Sequence, residues 1–506
     1  MTLAEVLAEA ARRFGDRPAV VTEDGWALNY RDVQRLSDRV AAGLRRQGLR
    51  AGDVLALMLP SSPEYLVAYL AAAKVGAATA GINPRLPTPQ RGSLAEVAAP
   101  ALVVGTEELL DGVFIDAPAV AVPLADDAQN CLSALHGTDP AASAVATDCD
   151  RVVAIVFTSG TTGTPRGAVF TERHLAAIDH LDTADAPWGS GGPMLASTEL
   201  VHVGVMTKLR WYLRLGATIH LLRRWRPGPA LDVISRQRIA SVGAIAPQIA
   251  LLLRLENFDR YDLTAVTSIV AGGAPSPPDL VVEARQRFGA AYSIRYSSTE
   301  SGGVGTGTAF DAPDTEALHT VGRPRTGVAL RIRNAKGDDV EHGHVGTIEI
   351  RSPAVMAGYW RAPDATSQTL HSGWLRTGDV GLIDDTGCLR LHGRDSDVYI
   401  RGGYNVHPDT VEAALRRHPA VRDVAVVGVG DPVMGEVGGA VVVLRDPARA
   451  LDLSELRRFA AGLLAHHELP ERLLVVEELP RTPLHKIDRI TVRRLLTDPS
   501  GRPATT

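Results

Sequence analysis

The sequence predicts an α/β protein: a large N-terminal domain of doubly wound mixed sheets with a β-rich subdomain, then a small α+β C-terminal domain. Three observations carry this. Short β-branched runs alternate with helical periodicity up to about residue 300, the pattern of an open sheet wound on both faces. From about residue 321 the texture changes to short strands and Gly turns. Beyond about residue 395 a self-contained helix, strand, strand, helix, strand pattern follows, ordinary in size for a domain. The expected domains are 1–394 and 395–506.

At 506 residues the chain is too long for one ordinary core. A composition of 45% hydrophobic and 22% charged residues is that of a globular protein. The net charge of −5 is spread along the chain and leaves no basic footprint for nucleic acid. No apolar stretch reaches the length of a transmembrane helix; residues 65–73 are followed by Lys74 and read as a buried helix. The first residues carry acids and no uninterrupted apolar core, so no signal peptide is expected and the expected compartment is the cytoplasm. Cys131, Cys149 and Cys388 are too few and too dispersed for a disulfide framework or a Cys-based zinc site.

In chain order, residues 2–14 place Leu3, Val6, Leu7 and Ala10 on one helical face. Residues 19–22 and 26–28 predict a hairpin around Glu23-Asp24-Gly25. Residues 30–47 read as a helix stopped by Gly48, and 54–59 as a buried strand. Ser61-Ser62-Pro63-Glu64 opens the next helix with a cap, a proline and an acid. Strands at 77–80 and 101–104 enclose a helix at 89–98, and 124–150 is a polar connector. Residues 198–215 predict one apolar-rich helix with His202 near its start. Strands at 217–222 and 241–245 enclose a helix at 229–238, and Pro247-Gln248 starts another. Strand 269–271 runs into Gly272-Gly273, and strand 291–296 into Ser297-Ser298-Thr299-Glu300-Ser301-Gly302-Gly303. Strand ends of this kind are where open α/β sheets bind ligands. Strands at 328–333, 346–351 and 389–391 belong to the β-rich part, with Asp379 in a turn between two short strands. Helices at 408–418 and 454–464 and strands at 421–429, 439–444 and 473–476 complete the last domain.

The most informative stretch is TSGTTGTPRG at 158–167, between apolar runs at 152–157 and 168–170. It reads as strand, loop, strand. Gly160, Gly163 and Gly167 let backbone N–H groups converge on an anion, Thr158, Ser159, Thr161 and Thr162 add hydroxyls, and Arg166 adds charge. It is not a Walker A loop, because no G-x-x-x-x-G-K-[ST] fits and a strand follows. Composition alone would equally suit a flexible surface loop; the two flanking strands favour a polyphosphate cradle.

Taken with later segments, the chain resembles the acyl-adenylate-forming (AMP-binding) superfamily: acyl-CoA synthetases, adenylation domains of peptide synthetases, and luciferases. TSGTTGTPRG resembles its phosphate loop, YSSTE at 296–300 its Y-G-x-T-E segment, and LRTGD at 375–379 its Y-R-T-G-D. GRDSD at 393–397 is similar to the hinge motif, and LPRTPLHKIDR at 479–489 to L-P-x-T-x-x-G-K-x-x-R. Asn83-Pro84-Arg85, Val321-Gly322-Arg323-Pro324 and Gly435-Glu436 also fall where such enzymes have them, so the resemblance covers nearly the whole chain.

The resemblance implies an ATP-dependent, AMP-forming acid:CoA ligase of the acyl-CoA synthetase branch, with ATP, Mg²⁺ and CoA as cofactors and a small-molecule carboxylic acid, fatty or aryl, as substrate. It implies no nucleic-acid partner, no membrane span, and a monomer or homodimer. Glu300 would be the Mg²⁺ ligand, a hard carboxylate suited to that ion. Thr299 would meet the α-phosphate, Tyr296 the adenine, and Asp379 and Arg394 the ribose. Lys486 would bridge the substrate carboxylate and α-phosphate, where a compact ammonium suits two anions pressed together; composition alone would make it a solvated lysine. Ser297 and Gly273 would line the nucleotide site. Gly402 and Gly403, in IRGGYN, would pass the CoA arm after a mobile C-terminal domain turns. His202, Val203, Met206, Gly272, Ser301 and Gly302 would line the acid pocket, with no charged side chain marking a polar substrate.

Departures from the family pattern are Arg166 for a usual Lys, Ser297 for Gly, Ser396 at the hinge, and His485 for the Gly before the lysine. The acceptor stays open among CoA, a carrier protein and an amine, and a small oxyacid such as nitrite is an alternative substrate. A non-catalytic nucleotide-binding relative is the other reading.

Overall fold

The computed structural model describes residues 1–137, 147–158, 165–184, 191–274, 276–334, 336–394, 397–401, 404–431, 434–482 and 486–497, with residues 405 and 435 through their backbone. The chain forms two compact units, Met1–Leu330 with Ile350–Leu375, and Arg331–Glu349 with Arg376–Thr506.

In the first unit, helices Leu3–Phe14 and Tyr30–Arg46 both begin with a capping box, Thr2 with Glu5 and Asn29 with Asp32. Each box satisfies backbone donors at the helix start that have no intrahelical partner. Helix Pro63–Val75 is buried along its length apart from Lys74, and ends at Gly76 in the left-handed region. Its apolar all-round surface is that of a core helix. Glu64 enters that core because its Oε1 accepts the Ala125 N–H at 2.8 Å.

A six-stranded sheet runs in the order Ala119–Ala121, Leu102–Gly105, Val54–Met58, Ala78–Gly81, Val152–Thr158, Arg166–Thr171. Every neighbouring pair is parallel except the last. The parallel strands Ser241–Ile245, Ser268–Gly272 and Ala291–Tyr296 form a second sheet, extended by antiparallel Thr306–Gly307 and Arg323–Pro324. A four-stranded sheet joins the hairpin Pro18–Thr22 and Ala27–Asn29 to Thr218–Leu221 and Pro193–Leu195. This is the expected α/β architecture, with two doubly wound layers placing their strand ends near Thr158 and Tyr296.

Strand Trp374–Ile383, which belongs to the second unit from Arg376 on, pairs antiparallel with Leu389–Arg394. Farther on, Gly435–Leu444 lies between antiparallel Val421–Asp431 and parallel Arg472–Val476, backed by helices Pro408–Leu415, Leu453–Ala460 and Arg489–Thr497. The α+β expectation for the C-terminal part therefore holds. Cys131, Cys149 and Cys388 are free thiols. No helix among the described residues is long and apolar enough to cross a membrane.

Two expectations need correction. The single helix expected over 198–215 is two, Val203–Met206 and Leu209–Leu215. At the break the Lys208 N–H bonds three residues back to Val205 O at 3.0 Å, and the Thr207 hydroxyl bonds to Val203 O at 2.7 Å, so the turn tightens and the axis is interrupted. Asp379 is not in a turn between short strands but inside the ten-residue strand Trp374–Ile383. Gly378 is absorbed there at φ 76°, beside a register shift between Val380 and Gly381. A Gly-Asp pair is a turn signal in a sequence, but a bulge accommodates it equally well.

Gly322 sits at φ 75°, and a Cβ there would come within 2.0 Å of Gly307 backbone. Gly322→Ala is expected to cost at least about 1–2 kcal/mol from the left-handed conformation alone, before the backbone clash is relieved. It should lower the midpoint of the unfolding transition in urea; an unchanged midpoint contradicts this.

Candidate active site

Strands Val152–Thr158 and Arg166–Thr171 stay paired down to Thr158 opposite Arg166, where the Thr158 hydroxyl donates to Arg166 O at 3.3 Å. The loop between them lies outside the described residues, and with it Ser159, Gly160, Thr161, Thr162 and Gly163. Strand Arg166–Thr171 is also bonded along its other edge. Ala357 N donates to Val169 O at 2.9 Å, Val169 N to Gly358 O at 3.0 Å, and Trp360 N to Gly167 O at 2.7 Å.

That second pairing brings in Tyr359, which sequence reading missed. The Arg166 guanidinium carbon is 5.5 Å from the Tyr359 ring centroid, within cation–π range. The Tyr359 hydroxyl donates to Glu300 Oε1 at 2.8 Å. Burial, and then the adjacent Glu300 carboxylate, push the Tyr359 phenol well above its ordinary pKa, so it remains a donor. Arg166, Tyr359 and Glu300 thus form one contiguous group. The only sequence signal for Tyr359 was an aromatic pair after Gly358.

Glu300 itself lies in a turn after strand Ala291–Tyr296, whose last residue is the buried Tyr296. Ser298 N–H donates to Ser301 Oγ at 3.0 Å and Ser301 N–H to Ser298 Oγ at 3.2 Å. Gly302 and Gly303 close the turn at φ 70° and 72°, values that favour glycine. Thr299 and Ser297 are half-buried beside Glu300. Met356 N–H further fixes the turn by donating to Glu300 O at 2.8 Å.

The residues expected around the acid differ in their surroundings. Ser301 is fully buried and its hydroxyl donates to Ser298 O at 3.0 Å. A Cβ on Gly302 would meet Ala354 O at 2.4 Å, so that glycine is closed in. Met206 is buried. His202 and Val203 are half-buried, His202 as the cap residue of helix Val203–Met206. Gly272 is half-buried and Gly273 exposed at the end of strand Ser268–Gly272. Beside Gly303 and Val203 stands a charged side chain that sequence reading did not single out, Lys208, which donates to Asp182. Asp182 in turn accepts from Arg325 at 2.8 Å. Among the described residues, one group has metal-ligand spacing, Asp148-Cys149-Asp150; it is exposed, and Asp150 already pairs with Arg173.

In the second unit, Asp379 lies opposite Arg394 in the antiparallel register, with Arg394 Nε 3.2 Å from Asp379 Oδ1. Asp379 N–H bonds to the Thr377 hydroxyl, which itself donates to Ile348 O at 2.9 Å. Lys486 is exposed at the end of a small hairpin: Arg481 bridges Ile487, and Thr482 N–H donates to Lys486 O at 2.7 Å. His485 and Ser396 are outside the described residues, as are Gly402 and Gly403, which sit between the paired residues Arg401 and Tyr404.

Both ends of the lysine hairpin are held by ions. Arg481 pairs with Asp423 at 2.9 Å. Arg489 reaches Asp397 at 3.1 Å and Asp409 and Glu412 at 2.7 Å, and donates to Val426 O at 2.6 Å. Asp397 belongs to the GRDSD segment, so one guanidinium joins that segment to the hairpin. Arg489 is another residue that motif reading left without a role.

Residues 7–360 match the AMP-binding enzyme family, and residues 410–486 match the AMP-binding enzyme C-terminal domain. The chain belongs to this family of adenylate-forming enzymes. A feruloyl-CoA synthase from Amycolatopsis sp is 32% identical to it over 493 residues, covering 95% of this chain and 96% of that one. Among solved structures, ATP-bound MatB from Rhodopseudomonas palustris aligns with a TM-score of 0.88 at 26% identity, over 99% of this chain and 100% of that one. The amide bond synthetase McbA from Marinactinospora thermotolerans aligns with a TM-score of 0.86 at 28% identity, over 98% and 100%.

Burial raises the Glu412 pKa above its ordinary 4.5, and Arg489 and Arg416 oppose that rise. A carboxyl raised in the folded state favours folding below the unfolded pKa and loses that contribution as pH rises through the folded value. Arg489→Met removes the opposing cation and leaves Glu412 poorly paired, at a cost of about 3–5 kcal/mol near neutral pH. The cost should shrink as pH falls toward 4.5, where Glu412 is protonated. Urea unfolding of both proteins across that range checks it; a pH-independent difference contradicts the assignment.

Proposed function

We propose that the protein is an ATP-dependent, AMP-forming acid:CoA ligase. The observation that carries the reading is the meeting of Arg166 and Glu300 at Tyr359, at the mouth of a Gly/Thr-rich loop pinned by two strands. A cation and a carboxylate held together beside a loop of backbone donors suit a metal-bound polyphosphate. ATP as the nucleotide is supported by likeness to ATP-bound MatB.

In the first step the acid's carboxylate oxygen attacks the α-phosphorus and pyrophosphate leaves, giving an acyl-adenylate. Arg166 and the loop would bind the departing phosphates. Glu300 would hold Mg²⁺: only one of its oxygens is taken by Tyr359, and no cation pairs with it among the described residues. When bound, Mg²⁺ offsets the charge of the phosphate oxygens. Thr299 would donate to the α-phosphate, Tyr296 would pack on adenine with Ser297 and Gly273 beside it, and Asp379 and Arg394 would bind the ribose. Lys486 would lie between the two anions that must approach. No side-chain nucleophile is needed.

In the second step the thiol of CoA attacks the acyl carbon, loses its proton, and AMP leaves. The segment holding Gly402 and Gly403, flanked by the paired Arg401 and Tyr404, is the element proposed to admit the CoA arm once the small domain (395–506) turns about the GRDSD segment against the large one (1–394). CoA as acceptor is supported by likeness to feruloyl-CoA synthase. Likeness to an amide bond synthetase favours a second reading in which an amine takes the acyl group; competition between CoA and amines for a supplied acyl-adenylate separates the two.

Lys486→Ala is expected to lower acid-dependent ATP–pyrophosphate exchange by about a hundredfold or more, the scale of losing a charge that acts in the transition state. Thioester formation from a supplied acyl-adenylate should be largely retained. Equal loss of both half-reactions overturns the division of labour.

A further inference from the structure

The interrupted helix over 203–215 brings Lys208 beside Gly303 and Val203, in the neighbourhood proposed for the acid. A Cβ on Gly303 would stand 3.2 Å from Lys208 Cε, 3.4 Å from its Nζ and 3.5 Å from Val203 Cγ2. With glycine at 303, no side chain presses on the ammonium from that side. Lys208 donates to Asp182 Oδ2 and, at 3.4 Å, to Gly303 O. The other Asp182 oxygen is taken by Arg325 Nη1 at 2.8 Å, and Arg325 Nη2 donates to Leu181 O at 3.1 Å.

One buried carboxylate thus serves two cations. The side chains of Asp182, Arg325 and Lys208 are 4%, 6% and 15% exposed, so water screens the excess charge poorly. Asp179, one turn back on the same helix, is committed to Arg210 and Arg214. Among the described residues no other carboxylate lies within ion-pair distance of Lys208 or Arg325. A plain alkyl or aryl acid would offer this ammonium no acceptor. An acid with an oxygen acceptor at its far end would restore the balance and use the ammonium's remaining donor capacity.

We infer that the acid carries a second oxygen remote from its reacting carboxyl, as a carboxylate or a ring hydroxyl, and that Lys208 is the specificity-determining residue that reads it. This rests on the adenylating function proposed above. A purely structural role for Lys208, as a staple between helices Glu172–Ala184 and Leu209–Leu215, would affect all acids alike.

The test is ATP–pyrophosphate exchange with two matched pairs: hexanoic against adipic acid, and cinnamic against 4-hydroxycinnamic acid. For the wild-type enzyme, kcat/KM should favour the oxygen-bearing member of at least one pair by about tenfold or more, the scale of one charge-assisted hydrogen bond. Which pair responds separates a carboxylate from a hydroxyl. In Lys208→Met that ratio should collapse to about one or below. Preference for the unsubstituted member of both pairs, or a ratio unchanged in Lys208→Met, overturns the inference while leaving adenylation standing. Exchange with none of the four acids overturns the adenylating function and this inference together. Should Lys208→Met not fold, the wild-type ratios decide alone.

Discussion

Strand Arg166–Thr171 is hydrogen-bonded along both edges, to Val152–Thr158 on one side and to the Ala357–Trp360 segment on the other. The first pairing closes the Gly/Thr-rich loop. The second carries Tyr359 under Arg166 and toward Glu300, and Glu300 is tied back by Met356 N–H from the same returning segment. A residue near position 160, one at 300 and one at 359 thereby become neighbours. Neither an edge strand nor a mobile loop could hold a cation and a carboxylate at such fixed spacing, because both would be free to separate in water.

Charge is handled by the same means in both units, with buried carboxylates shared among cations, but the balances differ. In the second unit Arg489 meets three carboxylates, Asp397, Asp409 and Glu412, and Arg416 and Arg481 complete a network around Asp423 and Glu412. Among the described residues this network joins four carboxylates and three guanidinium groups, a framework that holds an exposed lysine in place. Around Asp182 the excess is positive. Buried ion pairs contribute modestly to stability once desolvation is counted, so an unbalanced one is more informative about ligands than about folding. Tyr359 belongs to the same logic: a neutral donor on Glu300 fixes the carboxylate without cancelling its charge.

Much of the architecture could be read from the sequence because its signals are local. Residues 291–296 form the strand expected of them, as do 241–245 and 346–351, and both strands expected to flank the Gly/Thr-rich segment are present. The errors arose where local signals admit two outcomes. Gly378-Asp379 suits a turn or a bulge, and the long strand won because cross-strand pairing with 389–394 outweighs a local turn. The run 198–215 is apolar enough for one helix, yet Thr207 and Lys208 bond backward and divide it.

Sequence alone therefore determined the order of elements, the α/β class and the motif residues Arg166, Glu300, Asp379, Arg394 and Lys486, because periodicity, turn chemistry and motif spacing are properties of neighbouring residues. Only the tertiary structure decided the partners: Tyr359 between Arg166 and Glu300, Arg489 between Asp397 and the lysine hairpin, and Lys208 beside Gly303 with Asp182 and Arg325. These contacts join residues from about 25 to nearly 200 positions apart. No local periodicity encodes them; they depend on which strand edges pair and which helices break.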